Sequence, residues 1–204
     1  MIPATRKEAL AAAAGAGLYG ALALGYVNRA AHESGWGPRI MFGAFGLYAA
    51  LGAFRMASFR KAASSEAPWP HRIVVLLGVL APLAVRAEGR VLWDGGAWIA
   101  AAGALLGALS AVALGDCFGI LPAVRGVVAR GPYRRIRHPM TTALFLIAAG
   151  YLISRWSPWN AAALGAAALL GAAAAFLEER LLGREDSYRD YAARVPWRFV
   201  PGVL

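Results

Sequence analysis

The sequence predicts an all-α fold: a polytopic membrane helix bundle of five or six transmembrane helices, with a C-terminal helical hairpin and an amphipathic cytoplasmic tail. Three observations carry that expectation. The chain of 204 residues is 59% hydrophobic and only 16% charged, against about a quarter charged in soluble domains, so it has too little polar surface to cover itself. Its apolar residues gather into six stretches almost free of charge, 9–27, 40–54, 73–85, 95–115, 140–154 and 159–177. All seven tryptophans fall at or near the ends of these stretches or in loops, at the headgroup level where amphipathic rings settle.

A helix needs about 20 apolar residues to cross a bilayer, and about 17 at the lower limit. The first stretch meets that length. Arg6 and Lys7 precede it as they would in a signal peptide, but 19 uncharged residues are long for one, so it is expected to be retained. The second is short and needs interfacial flanks. The third is the shortest and contains Pro82, so it either spans or re-enters. The fourth spans outright. The fifth is short again, and the tight polar break Ser157-Pro158-Trp159-Asn160 joins it to the sixth as an antiparallel hairpin. The sixth is nearly all small residues, which let helix backbones approach closely; a central place in the bundle and a lipid-facing one are both open. No breaker separates it from the tail. There Leu177, Leu181, Leu182, Tyr188, Tyr191 and Val195 recur at roughly helical spacing, the pattern of an amphipathic surface helix, ended by Pro196 and Pro201.

Charge sets the orientation. With six spans and a cytoplasmic N-terminus, 16 of the 21 basic residues lie on the cytoplasmic side, as the positive-inside rule demands. Both termini are then cytoplasmic, in a multi-pass protein of a bacterial inner membrane. The net charge of +10 reads as topology plus attraction to anionic lipid. Nucleic-acid binding is disfavoured, because the charge is spread over loops between spans. Residues 1–94 hold three hydrophobic segments without a motif, and residues 95–204 hold the polar chemistry, within one integrated membrane domain. Cys117 is the single cysteine, so no intramolecular disulfide forms. His32, His71 and His138 lack ligand spacing, and no metal is expected.

Two polar clusters need explaining. Arg130, Arg134, Arg135, Arg137 and His138 crowd together just before the fifth stretch. Gly131-Pro132 is a turn signal, and Pro139 suits the first turn of a helix. The N–H groups of that helix start favour an anionic group. His138 there is either a simple cap or a ligand contact. Glu178 and Glu179 abut the sixth stretch, and the positions three and four residues on are Leu181, Leu182 and Gly183. Acids at a membrane boundary without a local partner need one elsewhere, in a structural ion pair or a ligand site. Glu185 with Arg189 and Asp190 with Arg194 are i,i+4 pairs of a solvated helix face.

Read in order, Gly115–Met140, a hydrophobic hairpin, then the Glu178-Glu179 pair and the spaced tyrosines Tyr188 and Tyr191 form a specific pattern over residues 115–202. It resembles the isoprenylcysteine carboxyl methyltransferase-like family, which is similar in turn to the phospholipid methyltransferases. The resemblance implies an integral membrane enzyme that uses S-adenosylmethionine in a pocket open to the cytosol. Carried over, cofactor contacts fall on Arg125, Gly126, Val127, Val128, Tyr133, His138, Pro139, Met140, Glu178 and Glu179. Arg137 and His138 shape the catalytic pocket, and His138 or a neighbouring carboxylate serves as base if the acceptor is a hydroxyl. Two positions depart from the pattern. Thr141 stands where tyrosine is frequent. Ala174 stands where relatives acting on a prenylcysteine carboxylate carry the arginine that pairs with it, and an unpaired carboxylate in an apolar channel is costly. The implied acceptor is therefore a lipophilic small molecule or lipid with a hydroxyl, thiol or amine, entering from the bilayer. A phospholipid headgroup N-methyltransferase, a prenylcysteine carboxyl methyltransferase and a catalytically silent membrane binding module are the alternatives.

Overall fold

The computed structural model describes residues 6–57, 69–86, 88–117 and 127–203. Among these the chain is all-helical, with no strand. Helix α1 (Arg6–His32) turns back into α2 (Trp36–Ala57), and the two pack along their length. Helix α3 (Trp69–Leu80) tightens into a 3-10 turn over Ala81–Ala84. Helix α4 (Gly96–Leu114), helix α5 (Pro139–Ser154), helix α6 (Pro158–Leu182) and the short α7 (Asp186–Arg194) complete the order. Helices α4 and α6 are long and apolar enough to cross a membrane.

Helix α4 is the centre of the bundle, packed against both α2 and α5. Its buried positions are almost all glycine and alanine, and this is what lets α5 approach. A Cβ on Gly150 would run into the Ala100 backbone, and one on Gly103 would lie 2.8 Å from the Ile147 amide nitrogen. Helix α6 has a similar composition but is less buried, with Leu169 exposed. On the α2 side, Met41, Phe42 and Phe45 pack with Ala97, Ala100, Ala104, Tyr151 and Leu164. The Tyr26 and Phe45 rings, and those of Phe42 and Tyr151, meet edge to face at centroid distances of 5.4 and 6.4 Å.

The third apolar stretch packs along α6. Gly78 sits against Leu170 in the middle of α6. Further along, the Trp159 indole near the start of α6 donates to the Ala84 carbonyl at 2.7 Å. Arg86 then ends at a polar knot around Asn160, which is fully buried. The Asn160 Oδ1 accepts from the Arg86 N–H at 2.9 Å, and its Nδ2 donates toward the carbonyls of Arg86, Glu88 and Arg155. Ser157 caps α6 by accepting from the Asn160 N–H, so the tight break expected at Ser157–Asn160 also clamps this end. Glu33 locks α1 to the same end, with Arg155 and Arg29 each at 2.8 Å.

The tail corrects the sequence reading. It is not a continuation of the sixth helix: α6 stops at Leu182, and a turn through Gly183 and Arg184 leads into α7. The physical reason is burial. Tyr188, Tyr191 and Val195 pack against Val127 and Leu182, which a straight extension of α6 could not achieve. The i,i+4 side-chain pairs on this helix are also replaced. Arg189 meets Asp186, and the Arg194 Nε donates to the Asp190 carbonyl.

Candidate active site

The site lies where α4 ends, α5 begins and α6 runs out. Arg130 fixes the entry, its Nε donating to the Ala113 carbonyl at 2.6 Å and so satisfying the last turn of α4. Gly131, at φ 57°, makes the left-handed turn that a side chain would resist and starts a 3-10 turn over Gly131–Arg134. The following residues run beside the C-terminal segment. The Arg137 N–H donates to the Trp197 carbonyl at 2.8 Å, and the His138 N–H to the Arg198 carbonyl at 2.9 Å. Thr142 in the first turn of α5 donates its hydroxyl to the Phe199 carbonyl at 2.8 Å. Phe199 is buried against His138, Phe145 and Phe176. Residues 195–199 therefore form a strap fastened across the start of α5.

His138 occupies the N-cap position of α5, but its side chain makes no capping hydrogen bond. It turns instead to Glu179, with Nε2 at 3.0 Å from Oε1. A carboxylate can only accept, so Nε2 carries the proton. Arg137 Nη1 reaches the same oxygen at 3.0 Å, and Arg198 Nε reaches Oε2 at 2.9 Å. Arg137 also donates from Nη2 to the Pro196 carbonyl at 3.0 Å. Glu179, with its side chain 12% exposed, is thus the hub that ties α6, the start of α5 and the strap together.

Glu178 behaves differently. Its side chain is 50% exposed, and the nearest ring nitrogen, His138 Nδ1, lies 3.9 Å from Oε2, beyond hydrogen-bond reach. Of the two adjacent acids, one is consumed by structure and the other is left facing outward beside an imidazole. Buried Tyr133 lies close by: burial, then the Glu178 carboxylate and the Tyr48 and Tyr191 phenols, push its own phenol well above the usual range. Burial also raises Tyr188, helped by Glu179 and opposed by Arg137. Tyr191, which donates to the Tyr133 carbonyl at 2.8 Å, is pushed up to about 12 by burial, against the pull of Arg137.

The structure brings together Arg137, His138, Glu178 and Glu179, with Tyr133 beside them. Pro139 is fully buried at the first turn of α5. Met140 packs against the Ala111 cluster that also receives Ala12, Ala16 and Tyr19 of α1. Val127 lies under α7, with half-buried Val128 next to it in the chain. Arg125 and Gly126 lie outside the described residues. The sequence reading missed Arg198, Thr142 and Phe199. Arg198 sits between two prolines with no periodicity to mark it, and its role depends on the strap folding back.

The sequence model described as phospholipid methyltransferase matches residues 86–188, just over half of the chain. The chain belongs to the phospholipid methyltransferase family. No curated protein matches it. The matched segment begins at the Asn160 knot and ends at Tyr188, so it contains the whole α4–α5–α6 unit and all four clustered side chains, but not Arg198 of the strap. Membership implies methyltransferase activity, and with two membrane-length apolar helices it supports a membrane association.

Proposed function

We propose that this protein is a multi-pass integral membrane methyltransferase that uses S-adenosylmethionine and acts on a lipophilic acceptor arriving from the bilayer. The observation that carries the reading is Glu178: a carboxylate with no hydrogen bond among the described residues, beside His138, at the helix ends where a polar ligand can enter from water. The chemistry of the site suits the cofactor, whose cationic amino group and ribose hydroxyls call for a free acceptor such as Glu178. S-adenosylmethionine, when bound, supplies a methyl group on a sulfonium, an activated leaving group. The chain's share is then to hold and orient. Glu178 would hold the cofactor's polar groups, and Tyr133 and Met140 would wall the pocket. Arg137 is committed to Glu179 and Pro196, so its role is to position His138 rather than to touch substrate. With its Nε2 proton fixed on Glu179, His138 offers Nδ1 as the acceptor of a proton from an amine or hydroxyl substrate.

Six passes, with both termini on the cytoplasmic side, fit the alternation of helix ends, including the run from α3 to Arg86. The phospholipid headgroup is favoured among acceptors by the family itself. A prenylcysteine carboxylate is disfavoured, because Ala174 of α6 supplies no cation for it. The test is calorimetric titration of S-adenosylmethionine and S-adenosylhomocysteine into detergent-purified wild type and Glu178→Ala, followed by transfer of labelled methyl groups to lipid acceptors. Binding by wild type that fails in a folded Glu178→Ala supports the pocket. A well-folded wild type that binds neither ligand refutes the reading and leaves a catalytically silent membrane module.

A further inference from the structure

Helix α3 lies outside the segment matched to the family, yet it carries a histidine with a buried nitrogen to satisfy. His71 stands in the first turn of α3, and its Nδ1 is buried with no hydrogen bond among the described residues. Such a nitrogen costs free energy until something pairs with it. Its place follows from the packing of α3. Among the described residues of this helix, His71, Val74, Val75 and Gly78 are partly buried, at the spacing of one helix face. Ile73, Leu76, Leu77 and Leu80 are exposed. On the buried face Gly78 meets Leu170 of α6, where a Cβ would lie 3.4 Å from the Leu170 Cβ. The Ala84 carbonyl, farther along the chain, meets Trp159 near the start of α6, so α3 runs antiparallel to α6. His71 precedes Gly78 by two turns, about 10 Å at 1.5 Å per residue, and therefore faces α6 level with Leu177 and Glu178. On α6 itself adjacent residues face different neighbours. Leu170 faces α3, whereas Gly171 faces α5, a Cβ there lying 2.8 Å from Leu144 and 3.8 Å from Thr141. At about 100° per residue, Ala174 and Glu178 fall between these two faces. Among the described residues α3 packs on α6 but not closely on α5, so a cleft floored by α6 opens between them and ends at Glu178. Thr141 and Ala174, the two departures from the family pattern, both lie on this cleft, and both are small.

We propose that this cleft admits the acceptor from the bilayer and that His71 recognises its head, donating from Nδ1 to the phosphate of a phospholipid. The proposal rests on the methyltransferase reading, which puts the cofactor at Glu178, and adds to it the place of the acceptor beside the cofactor. Val74, Val75, Leu144 and Ala174 offer the apolar surface that an acyl chain needs. A single buried donor at the end of that surface suits an anionic oxygen, because hydrogen bonds to an ionised group are about twice as strong as neutral ones. A lipophilic amine without the phosphate leaves Nδ1 unpaired and is discriminated against on that ground.

The experiment measures labelled methyl transfer by full-length protein to two probes, phosphatidylethanolamine vesicles and a long-chain alkylamine, for wild type, His71→Phe and His71→Asn. S-adenosylhomocysteine affinity and thermal melting are measured on the same preparations. Phenylalanine fills the space of the imidazole without its nitrogens, and asparagine keeps a donor close to the Nδ1 position. The expected result for His71→Phe is a KM for phosphatidylethanolamine raised about tenfold, the scale of one hydrogen bond. Its S-adenosylhomocysteine affinity and its transfer to the alkylamine stay within about twofold of wild type, and its melt does not fall, since the nitrogen removed holds nothing in the fold. His71→Asn recovers most of the lost KM. An unchanged KM in His71→Phe overturns the proposal, and so does an equal loss on both probes or an asparagine variant no better than the phenylalanine one. A lower melt for His71→Phe overturns it too, because the imidazole would then be held by the fold. Transfer by wild type to neither probe while S-adenosylhomocysteine still binds shows the acceptor class to be wrong. Failure of S-adenosylhomocysteine to bind wild type marks the different failure, that of the methyltransferase reading itself.

Discussion

Replacing the two neighbouring acids one at a time should give opposite phenotypes. Glu179→Ala removes the shared partner of Arg137, His138 and Arg198. Arg137, with a side chain 10% exposed, then keeps its charge with only the Pro196 carbonyl against it, and breaking a buried pair costs about 3–5 kcal/mol. Arg198 is 36% exposed and adds less, because water screens it. For a chain of this size about 2–4 °C of Tm goes with each kcal/mol, so Glu179→Ala should melt roughly 10 °C below wild type. Glu179→Gln, which keeps one carbonyl acceptor but loses the charge, should fall between. Glu178→Ala removes a half-exposed carboxylate that holds nothing in the fold, so its Tm should stay within about 2 °C of wild type, the range of an ordinary surface substitution. Its cost appears in the ligand: loss of a hydrogen bond to a charged group, about 1.5–3 kcal/mol, weakens S-adenosylhomocysteine roughly 10- to 100-fold. Circular dichroism melts in detergent and calorimetry read both quantities on one preparation. Equal Tm values for the two alanine variants, or a lower one for Glu178→Ala, would refute the division of labour between hub and ligand site.

Asn160→Leu strips one acceptor and two donors from the knot at the other end of the bundle; with buried groups left unpaired at about 1–3 kcal/mol each, the variant should fail to yield folded protein in detergent or melt at least about 10 °C early. Gly150→Val should disrupt the α4–α5 contact by overpacking, at about 1–3 kcal/mol or more, whereas Gly165→Ala, where a Cβ meets nothing within 4 Å, should leave the melt unchanged. Tyr191 gives a pH signature: its phenol is held at about 12 in the folded protein against about 10 when free. The unfolded chain therefore loses its proton first. This contribution to stability is intact below about pH 10 and falls by ~1.4 kcal/mol per pH unit until about pH 12. Alkaline melts of Tyr191→Phe should show a shallower decline than wild type, and identical slopes would refute the assignment.

The helical class, the apolar stretches, the tight break at Ser157–Asn160 and the start of α5 at Pro139 were legible because each follows from local chemistry: hydrophobic runs, a short polar turn, a fixed φ. The family could be recognised for a related reason, since its polar residues stand in order within a continuous segment. The cluster Arg137, His138, Glu178 and Glu179 was named from that order. What order could not supply is which acid does what. Glu178 and Glu179 are equivalent as sequence, and only the side of α6 that faces the start of α5 makes one a buried hub and leaves the other free. The same holds for α4 and α6, both rich in small residues, of which α4, packed closely between α2 and α5, became the core. Arg198 and Phe199 acquire their meaning when the tail folds back after Gly183. Composition and spacing act along the chain and determined the elements. The division of roles among identical residues depends on which groups meet across it, and the tertiary structure alone decided that.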